Sequence, residues 1–430
     1  MPHGLIAGPS ESASTQVRLF IENPVDFWES CMQRYGPVIR LDLGSLGPVV
    51  LFAEPEAVKS IFRLPASAFQ CAPYNEHYRY VMGDLSLLLQ DGDTHRRQRK
   101  LLSPMFRPDE CLAQCGAICE IVRSVVDAWP AGQPFNPRSS LHEATFRVMI
   151  RMIFGDQDSA ASRELIGVHR ESVAAQAGSW GPWRGFSRMQ PQIRLLLAQE
   201  LRVRRANPDQ PGLLTQLAQA KDEAGEWVSD AECEDHVFSL LVAGVDTSAI
   251  SLAWALHWLC REPEVLACLM AELQKASIDA TGRALLGLPY LNAVYAETLR
   301  MYPIVPTPSG RKLTREVEID GHVFEAGVTL VPCTYLVHRR EDIYPESSRF
   351  RPERFLGNTF GPFEYLPYGG GVRSCLGEML AAMEFKAGLR TILDRWQLEA
   401  TTAAPRRPVR HGTLLAPADD STMVVVGKRP

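Results

Sequence analysis

One stretch near the C-terminal end of the chain decides the fold: Pro367-Tyr368-Gly369-Gly370-Gly371-Val372-Arg373-Ser374-Cys375-Leu376-Gly377. Its three consecutive glycines allow another group to approach the backbone closely, and an arginine and a cysteine follow them. A cysteine at the start of a helix faces unpaired backbone N–H groups and the positive end of the helix dipole, which favour the thiolate. The stretch therefore predicts a metal-binding thiolate at Cys375. An ordinary turn followed by a small core cysteine is the alternative.

Haem iron suits such a thiolate. As an axial ligand, a thiolate pushes electron density toward the opposite axial position of the iron and favours cleavage of an O–O bond. The stretch thus indicates a haem site at which an oxygen species is activated, with Cys375 as the iron ligand.

A long apolar helix is predicted between Ser229 and Glu262. Ser229-Asp230-Ala231-Glu232 has the pattern of a capping box, and the helical periodicity ends just before a proline. At about 1.5 Å per residue, the helix spans roughly 50 Å, enough to cross a whole domain. Because Asp246 and His257 lie in its apolar part, we expect a buried central helix and not a membrane span.

The middle of this helix reads Ala243-Gly244-Val245-Asp246-Thr247-Ser248. A buried acid beside a hydroxyl is costly unless it has a partner or a task. Thr247 is placed to donate to the carbonyl of Ala243, which loosens the helix beside Gly244. The segment predicts a notch that holds a small molecule and a water. An internally paired Asp246 with a back-bonded Thr247 is the alternative.

The segment from Asp91 to Lys100 is rich in bases and leads into an apolar helix. His95 and Arg99 lie four residues apart and so share one side of that helix. Two donors on one side suit a pair of carboxylates. The other bases of the segment are expected to form a solvated face: Arg96, Arg97 and Lys100.

Composition limits the classes of function. The 430 residues carry a net charge of -5, which gives no indication of a nucleic-acid partner, and they contain neither a repeat nor a long linker. We therefore expect one domain over 1–430. The ten cysteines lack the density and spacing of a disulfide framework, which favours a reducing compartment. Three of them share one helical face and are expected to pack rather than to bind metal: Cys111, Cys115 and Cys119.

The remaining pattern predicts a mainly α protein with a smaller β-rich region. Helices are predicted over 24–35, 55–62, 109–128, 140–154, 191–205 and 288–301, paired strands over 38–43 and 49–52, and a hairpin around Asp320-Gly321. The segment 69–89 is predicted to be a long loop. Gly178 to Phe186 is predicted to be a mobile lid over a hydrophobic entrance, or else a packed helix connection. The N-terminus shows no signal peptide or anchor pattern, so we expect a soluble protein.

The order of aromatic residue, Gly-x-Gly, Arg and Cys-x-Gly in the cysteine stretch resembles the haem-binding loop of the cytochrome P-450 family. The acid–alcohol segment of the long helix and the His-x-x-x-Arg pattern are similar to that family as well. So are Glu297-Thr298-Leu299-Arg300 and the later Pro352-Glu353-Arg354-Phe355. These segments follow the family's order and cover nearly the whole chain. One departure is Tyr368, where the family usually has Phe; a phenol there would alter hydrogen bonding at the sulfur.

The resemblance implies a role for each matching residue. The long central helix would lie over the haem, with Ala243 and Gly244 at the haem and Asp246 and Thr247 delivering protons. The cysteine loop would hold the haem through Tyr368, Gly369, Cys375 and Gly377, and the haem propionates would be bound by His95, Arg99, Arg311 and Arg373. Three further residues are expected to be structural: Glu297, Arg300 and Arg354. The pocket would be lined by 304–306 and by the turn at 411–415.

The resemblance also implies the reaction, in which a monooxygenase inserts one atom of O2 into an organic substrate and reduces the other to water, using two electrons and haem b. Electrons would come from a ferredoxin and its NAD(P)H-dependent reductase, docking near Cys375 with the help of Arg96, Arg97 and Lys100. A bacterial, cytoplasmic monomer of secondary metabolism is expected, with a hydrophobic substrate of the fatty acid, terpenoid or polyketide class. Two alternatives are a peroxide-using or rearranging haem-thiolate enzyme and a non-enzymatic haem sensor; the intact acid–alcohol pair disfavours both.

Overall fold

The computed structural model of the protein describes residues 6–174, 183–221, 225–276, 282–403, 405 and 407–429. The helices are α1 (Ala13–Glu22), α2 (Pro24–Tyr35), α3 (Pro55–Phe62), α4 (Ala72–Asn75), α5 (Arg79–Met82), α6 (Gly92–Leu102), α7 (Pro108–Ala113), α8 (Cys115–Val126), α9 (Arg138–Phe154), α10 (Ala160–Ala174), α11 (Trp183–Ala206), α12 (Leu213–Ala218), α13 (Asp230–Leu259), α14 (Pro263–Lys275), α15 (Gly282–Leu286), α16 (Pro289–Met301), α17 (Thr334–Val337) and α18 (Glu378–Arg395). The strands are β1 (Val38–Asp42), β2 (Pro48–Phe52), β3 (Phe69–Gln70), β4 (Arg311–Leu313), β5 (Val317–Ile319), β6 (His322–Phe324), β7 (Thr329–Pro332), β8 (Trp396–Ala400), β9 (Val409–His411), β10 (Leu414–Ala416) and β11 (Met423–Lys428).

The mainly α fold with a smaller β-rich region is confirmed. The larger sheet has the order β1-β2-β7-β4-β3, in which β2 and β7 are parallel and the other neighbours are antiparallel. The predicted pair of β1 and β2 is present with Val38 opposite Phe52, and the predicted hairpin is β5–β6 with Ile319 opposite His322. Apolar side chains of this sheet form a small core with α3, and the larger core lies among the helices.

Three predictions of local structure are wrong. The segment 69–89 is not an open loop, because it contains β3, α4, α5 and short 3-10 turns, which are too brief to show a hydrophobic period. The helix predicted over 109–128 is divided at Gln114 into α7 and α8. The central helix ends at Leu259, three residues before the predicted end.

The predicted lid lies partly outside the described residues. Residues 178–182 are not described, and α11 begins at Trp183, eight residues before the predicted start of that helix. Gln190 in this helix donates to the carbonyl oxygen atoms of Tyr80 and Val81, at 3.3 and 2.7 Å. Helix α11 is therefore connected to α5 by hydrogen bonds.

Helix α13 is the central element, and it packs against α9 and α18. Ser229 accepts a hydrogen bond from the backbone N–H of Glu232, as the capping pattern predicts. Within the described part of the chain, α13 is the one helix long and apolar enough to cross a membrane. Most of it is buried in the protein, which is typical of a core helix.

A buried ionic cluster joins α16 to the segment that leads to the cysteine stretch. Glu297 and Arg300 are fully buried and paired at 2.6 Å, and Arg354 donates to the same carboxylate at 3.1 Å. The backbone N–H of Arg351 also donates to Glu297, at 2.8 Å. One carboxylate therefore balances two buried guanidinium groups and fixes the backbone of the downstream segment.

Replacing Glu297 with Gln is expected to destabilise the protein by about 3–5 kcal/mol, because two buried cations lose their counter-charge. Calorimetric unfolding of the purified protein measures the change. Glu346→Gln is the matched control, since Glu346 pairs with Arg349 and Arg351 on the exposed surface. Equal unfolding temperatures for the two variants would contradict the assigned role of the buried cluster.

Candidate functional site

The glycines of the cysteine stretch are required by close packing against α3. Gly369 and Gly371 both have a φ of 66°, which non-glycine residues rarely adopt. A Cβ atom at Gly371 would lie 2.4 Å from the carbonyl oxygen of Phe62, and one at Gly370 would lie 2.8 Å from its ring. The glycines thus bring the loop against Phe62. Gly377 has no such contact, since the nearest atom to a Cβ there would be 3.7 Å away.

Cys375 follows this loop, and its backbone N–H donates to the carbonyl oxygen of Tyr368 at 3.0 Å. Its side chain is accessible to solvent although protein surrounds it on most sides, a combination that is typical of a residue lining an internal space. Burial raises the pKa of the Cys375 thiol, and it outweighs the hydrogen bond from the Gly377 N–H and the charge of Arg99. The helix start therefore does not by itself lower the pKa of the Cys375 thiol, contrary to the expectation from the sequence.

The hydroxyl of Tyr368 is hydrogen-bonded to the hydroxyl of Tyr295 on α16, and not to the sulfur of Cys375. Burial and the neighbouring charges raise the pKa of both phenols well above the usual value, so both stay neutral at physiological pH. The Tyr368 hydroxyl is thus engaged with Tyr295 in this structure.

Four basic side chains lie near the cysteine loop. His95, Arg99 and Arg373 line a cleft of about 240 Å³ between α6 and the loop. Arg99 donates to the carbonyl oxygen of Ser374 at 2.8 Å, and Arg373 donates to the Gln90 carbonyl oxygen at 2.5 Å and pairs with a carboxylate, Asp91. Burial, together with Arg373 and Arg99, lowers the pKa of His95 to about 4, so this imidazole is neutral at pH 7.

The fourth base, Arg311 of β4, is 1% exposed. It donates to the carbonyl oxygens of Ser309 and Gly370, both at 3.2 Å, and its Nε atom has no partner. Burial lowers its pKa to about 10, which still leaves it charged at pH 7. Among the described residues, neither Arg311 nor Arg99 has a carboxylate partner. One buried and one half-buried cation, both without counter-charges, fit a ligand with two acidic groups, such as a haem with its propionates.

On α13, three consecutive or neighbouring residues are accessible in an otherwise buried stretch. From Asp235 to Leu259 every residue is buried except Ala243, Gly244 and Thr247, which lie on one face. The Thr247 hydroxyl donates to the carbonyl oxygen of Ala243 at 2.7 Å, as expected. A Cβ atom at Gly244 would lie 2.8 Å from the sulfur of Met149, so this glycine also allows α9 to pack closely.

The carboxylate of Asp246 is surrounded by histidines. It is buried, its Oδ1 atom lies 2.9 Å from Nε2 of His142 on α9, and its Oδ2 atom lies 3.7 Å from Nε2 of His411 on β9. His142 is in turn 2.9 Å from His169 on α10. Burial alone would raise the pKa of Asp246, but the two neighbouring histidines hold it well below its usual range. Asp246 is therefore an anion at neutral pH.

Sequence reasoning missed the partners of these residues, namely Asp91, His142, His169, Phe62 and Ser374. Each lies 27 or more residues from its partner along the chain. A single histidine or serine has no sequence pattern that would indicate such a distant partner. The repeated acid in Asp91-Gly92-Asp93 is the one sequence feature that could have indicated an acidic partner.

The model of the family "Cytochrome P450" matches residues 13–175 and 182–423. Cytochrome P450 135B1 of Mycobacterium tuberculosis is 36% identical over 433 residues, which cover 96% of this chain and 90% of that protein. Cytochrome P450 137 of the same organism is 29% identical over 402 residues, covering 90% and 82%. Among solved structures, cyanobacterial CYP120A1 with bound retinoic acid has a TM-score of 0.83 at 23% identity, with both chains fully covered. CYP102L1 has a TM-score of 0.84 at 22% identity, also with full coverage.

The fold and the accessible cysteine beside a cationic cleft define the haem-thiolate class of proteins. The matches over nearly the whole chain show that this protein belongs to the cytochrome P450 family, and it is therefore a cytochrome P450 monooxygenase, an oxidoreductase that uses haem iron and O2. The family resemblance expected from the cysteine stretch is confirmed.

Replacing Gly371 with Ala is expected to displace the cysteine loop, because the added Cβ atom collides with the backbone of Phe62. Haem content and the Soret absorbance of the purified variant should fall by more than half. Gly321→Ala is the matched control: its φ is 75° but nothing lies within 4 Å, so it carries only the strain of about 1–2 kcal/mol. Full haem content in Gly371→Ala would show that the loop tolerates this contact.

Proposed function

We propose that this protein binds haem b between the cysteine loop and the accessible face of α13, and hydroxylates or epoxidises a hydrophobic small molecule. One observation carries the proposal: between Asp235 and Leu259 of α13, the residues that are not buried are Ala243, Gly244 and Thr247, which belong to the acid–alcohol segment. Cys375, which is accessible from within the protein, supplies the thiolate. The bound haem supplies the chemistry that activates O2 and cleaves its O–O bond.

The four basic residues hold the propionates in this proposal. Arg99 and Arg311 provide the uncompensated charges, Arg373 is shared with Asp91, and neutral His95 donates one N–H. Tyr368, Gly369 and Gly377 shape the loop around the sulfur. Arg99 donates to Ser374, which is next to Cys375. In this proposal Arg99 therefore contacts both the edge of the haem and the loop that carries the thiolate.

Thr247 and Asp246 deliver protons. The hydroxyl hydrogen of Thr247 is used in the bond to Ala243, so its oxygen is free to accept a hydrogen bond from a water in the internal space. Rotation of the hydroxyl then lets Thr247 donate toward that space. Asp246 is turned by about 100° around the helix from Thr247, lies against His142 of α9, and returns protons to the water and hydroxyl relay.

Electrons come from a separate ferredoxin and its NAD(P)H-dependent reductase, and the docking face includes the exposed side of α6. Arg96 is exposed, and among the described residues its ion-pair partner is the exposed Asp93, so it is available to an acidic partner. Arg97 pairs with Glu232 on α13 at 2.6 Å and is less available. Docking is therefore assigned to Arg96 and Lys100.

The substrate is assigned to the fatty acid, terpenoid or polyketide class of secondary metabolism, because the walls expected from the sequence are apolar. Ile304 is buried, and its carbonyl oxygen accepts a hydrogen bond from the backbone N–H of Leu415 of β10, whose own carbonyl oxygen accepts one from Trp254 of α13. The proposed site thus joins two segments that are distant in the sequence. The enzyme is proposed to work as a cytoplasmic monomer.

The reduced protein with carbon monoxide is expected to show a Soret band shifted far to the red, and Cys375→Ala should lose it because no thiolate remains. Absorption spectroscopy measures both. Cys268→Ala, which removes an exposed cysteine on α14, is the matched control and should keep the band. A red-shifted band in Cys375→Ala would overturn the ligand assignment.

Thr247→Ala is expected to raise the share of electrons released as hydrogen peroxide by roughly tenfold, because O2 that has received two electrons leaves as peroxide when proton delivery fails. NADPH, O2 and peroxide are followed together, with a surrogate ferredoxin and reductase and dodecanoic acid as the probe substrate. Thr247→Ser keeps the hydroxyl and should behave as the wild type. An unchanged peroxide share in Thr247→Ala would remove Thr247 from the relay.

A further inference from the structure

We propose that His411 is the residue through which protons enter from solvent to Asp246, whereas His142 and His169 hold the Asp246 carboxylate in place. This inference rests on the proposed role of Asp246 in proton delivery. It concerns a step that the acid–alcohol pair leaves open: an ionised carboxylate must receive one proton for each proton that it passes on.

The two oxygens of Asp246 have different surroundings. Oδ1 is at ion-pair distance from His142, at 2.9 Å, whereas Oδ2 is buried and has no hydrogen-bond partner among the described residues. The group nearest to Oδ2 is His411 Nε2, at 3.7 Å, which is just beyond hydrogen-bond distance. A small movement of the His411 ring therefore makes or breaks this contact.

The pair of His142 and His169 offers no path to solvent. Both imidazoles are buried, and Nδ1 of His169 has no partner in the described part of the chain. The His169 ring is stacked on His142 at 4.9 Å and on Phe146 at 3.9 Å. Stacking on both neighbours restricts rotation of the ring, which repeated proton transfer through it would require. The pair can hold Oδ1 but cannot draw protons from water.

His411 has the opposite properties. It is the last residue of β9, directly before the two-residue turn Gly412-Thr413, and 16% of its side chain is accessible. Gly412 has a φ of 63°, and a Cβ atom added there would meet nothing within 4 Å, whereas the Thr413 hydroxyl is hydrogen-bonded to the hydroxyl of Tyr78. His411 thus lies between water and the unpaired oxygen of Asp246.

The proposed step is a proton transfer without electron transfer. A solvent hydronium ion delivers a proton to Nδ1 of His411 and leaves as water, while the N–H bond at Nε2 breaks as an O–H bond forms at Asp246 Oδ2, so the ring stays neutral. Exchange of the ring protons with water then restores the starting tautomer. The groups that face Asp246 are His142 from α9 and His411 from β9, with His169 and the surface pair of Arg170 and Glu143 behind His142. No further charged group among the described residues contacts the carboxylate.

The first test compares the two routes in the complete haem-loaded enzyme. His411→Phe and His411→Gln should each raise the share of electrons released as hydrogen peroxide roughly tenfold, measured with surrogate ferredoxin and reductase and dodecanoic acid. His169→Phe blocks the competing route and should change that share less than twofold, although it lowers the unfolding temperature. His322→Phe removes a histidine from the separate β5–β6 hairpin and controls for histidine loss.

The second test needs no turnover. Exchange of the imidazole C2 hydrogen with deuterium, followed by mass spectrometry, reports which histidines water reaches. His411 should exchange at least tenfold faster than His142 and His169 in the wild-type protein. Equal protection of all three would overturn the inference, because His411 would then have no access to solvent protons.

The outcomes separate the inference from the proposed function. If the wild type turns over and His169→Phe, but neither His411 variant, raises the peroxide share, protons follow the buried pair and the inference is wrong. If the wild type consumes no NADPH with any electron donor, the proposed function fails, and the inference fails with it. A raised peroxide share in both His411 variants, with fast exchange at His411, supports the assignment.

Discussion

The buried ion pairs of Glu297 are the interaction on which the rest of the structure depends. The Glu297 carboxylate compensates Arg300 and Arg354, and Arg300 in turn donates to the carbonyl oxygen of His338 at 2.9 Å. Burial lowers the pKa of His338 to about 3, so its ring is neutral and Nε2 accepts the backbone N–H of Leu366 at 3.0 Å. Leu366 directly precedes the cysteine stretch. An ion pair on α16 is therefore linked by three contacts to the loop that carries Cys375.

The same loop is held on its other side by shape rather than by charge. Phe62 of α3 packs against the backbone of Gly370 and Gly371, and the guanidinium of Arg311 lies 4.6 Å from the centre of the Phe62 ring. Phe62 thus contacts both the loop and the buried base Arg311. The position of the sulfur depends on buried charges from one direction and on close packing from the other.

The sequence was sufficient to predict elements that carry their own local signal. The cysteine stretch, the cap at Ser229 and the strand pair β1–β2 each depend on neighbouring residues, and each prediction is confirmed in family, cap or register. The break at Gln114 escaped prediction because both halves keep the same hydrophobic period.

The surroundings of the site depend on tertiary contacts and could not be predicted. Asp246 was identified from its neighbours in α13, but His142 and His411 reach it from α9 and β9, more than one hundred residues away in each direction. Tyr368 was expected to alter hydrogen bonding at the sulfur, but its hydroxyl is hydrogen-bonded to Tyr295 from α16. Pairing of this kind is decided by how helices pack, and no spacing within one segment encodes it.

The burial of α13 has a consequence for how this enzyme can diversify. Between Asp235 and Leu259 its accessible residues are confined to Ala243, Gly244 and Thr247, and Gly244 is restricted on its other side by Met149. Substitutions along this helix therefore disturb the packing before they alter the pocket. Evolution or laboratory selection toward new substrates has more freedom in the short turn after β9, where a Cβ atom added at Gly412 would meet nothing within 4 Å. Packing around α13 thus preserves the residues of the reaction, whereas substrate preference can change through the turn after β9.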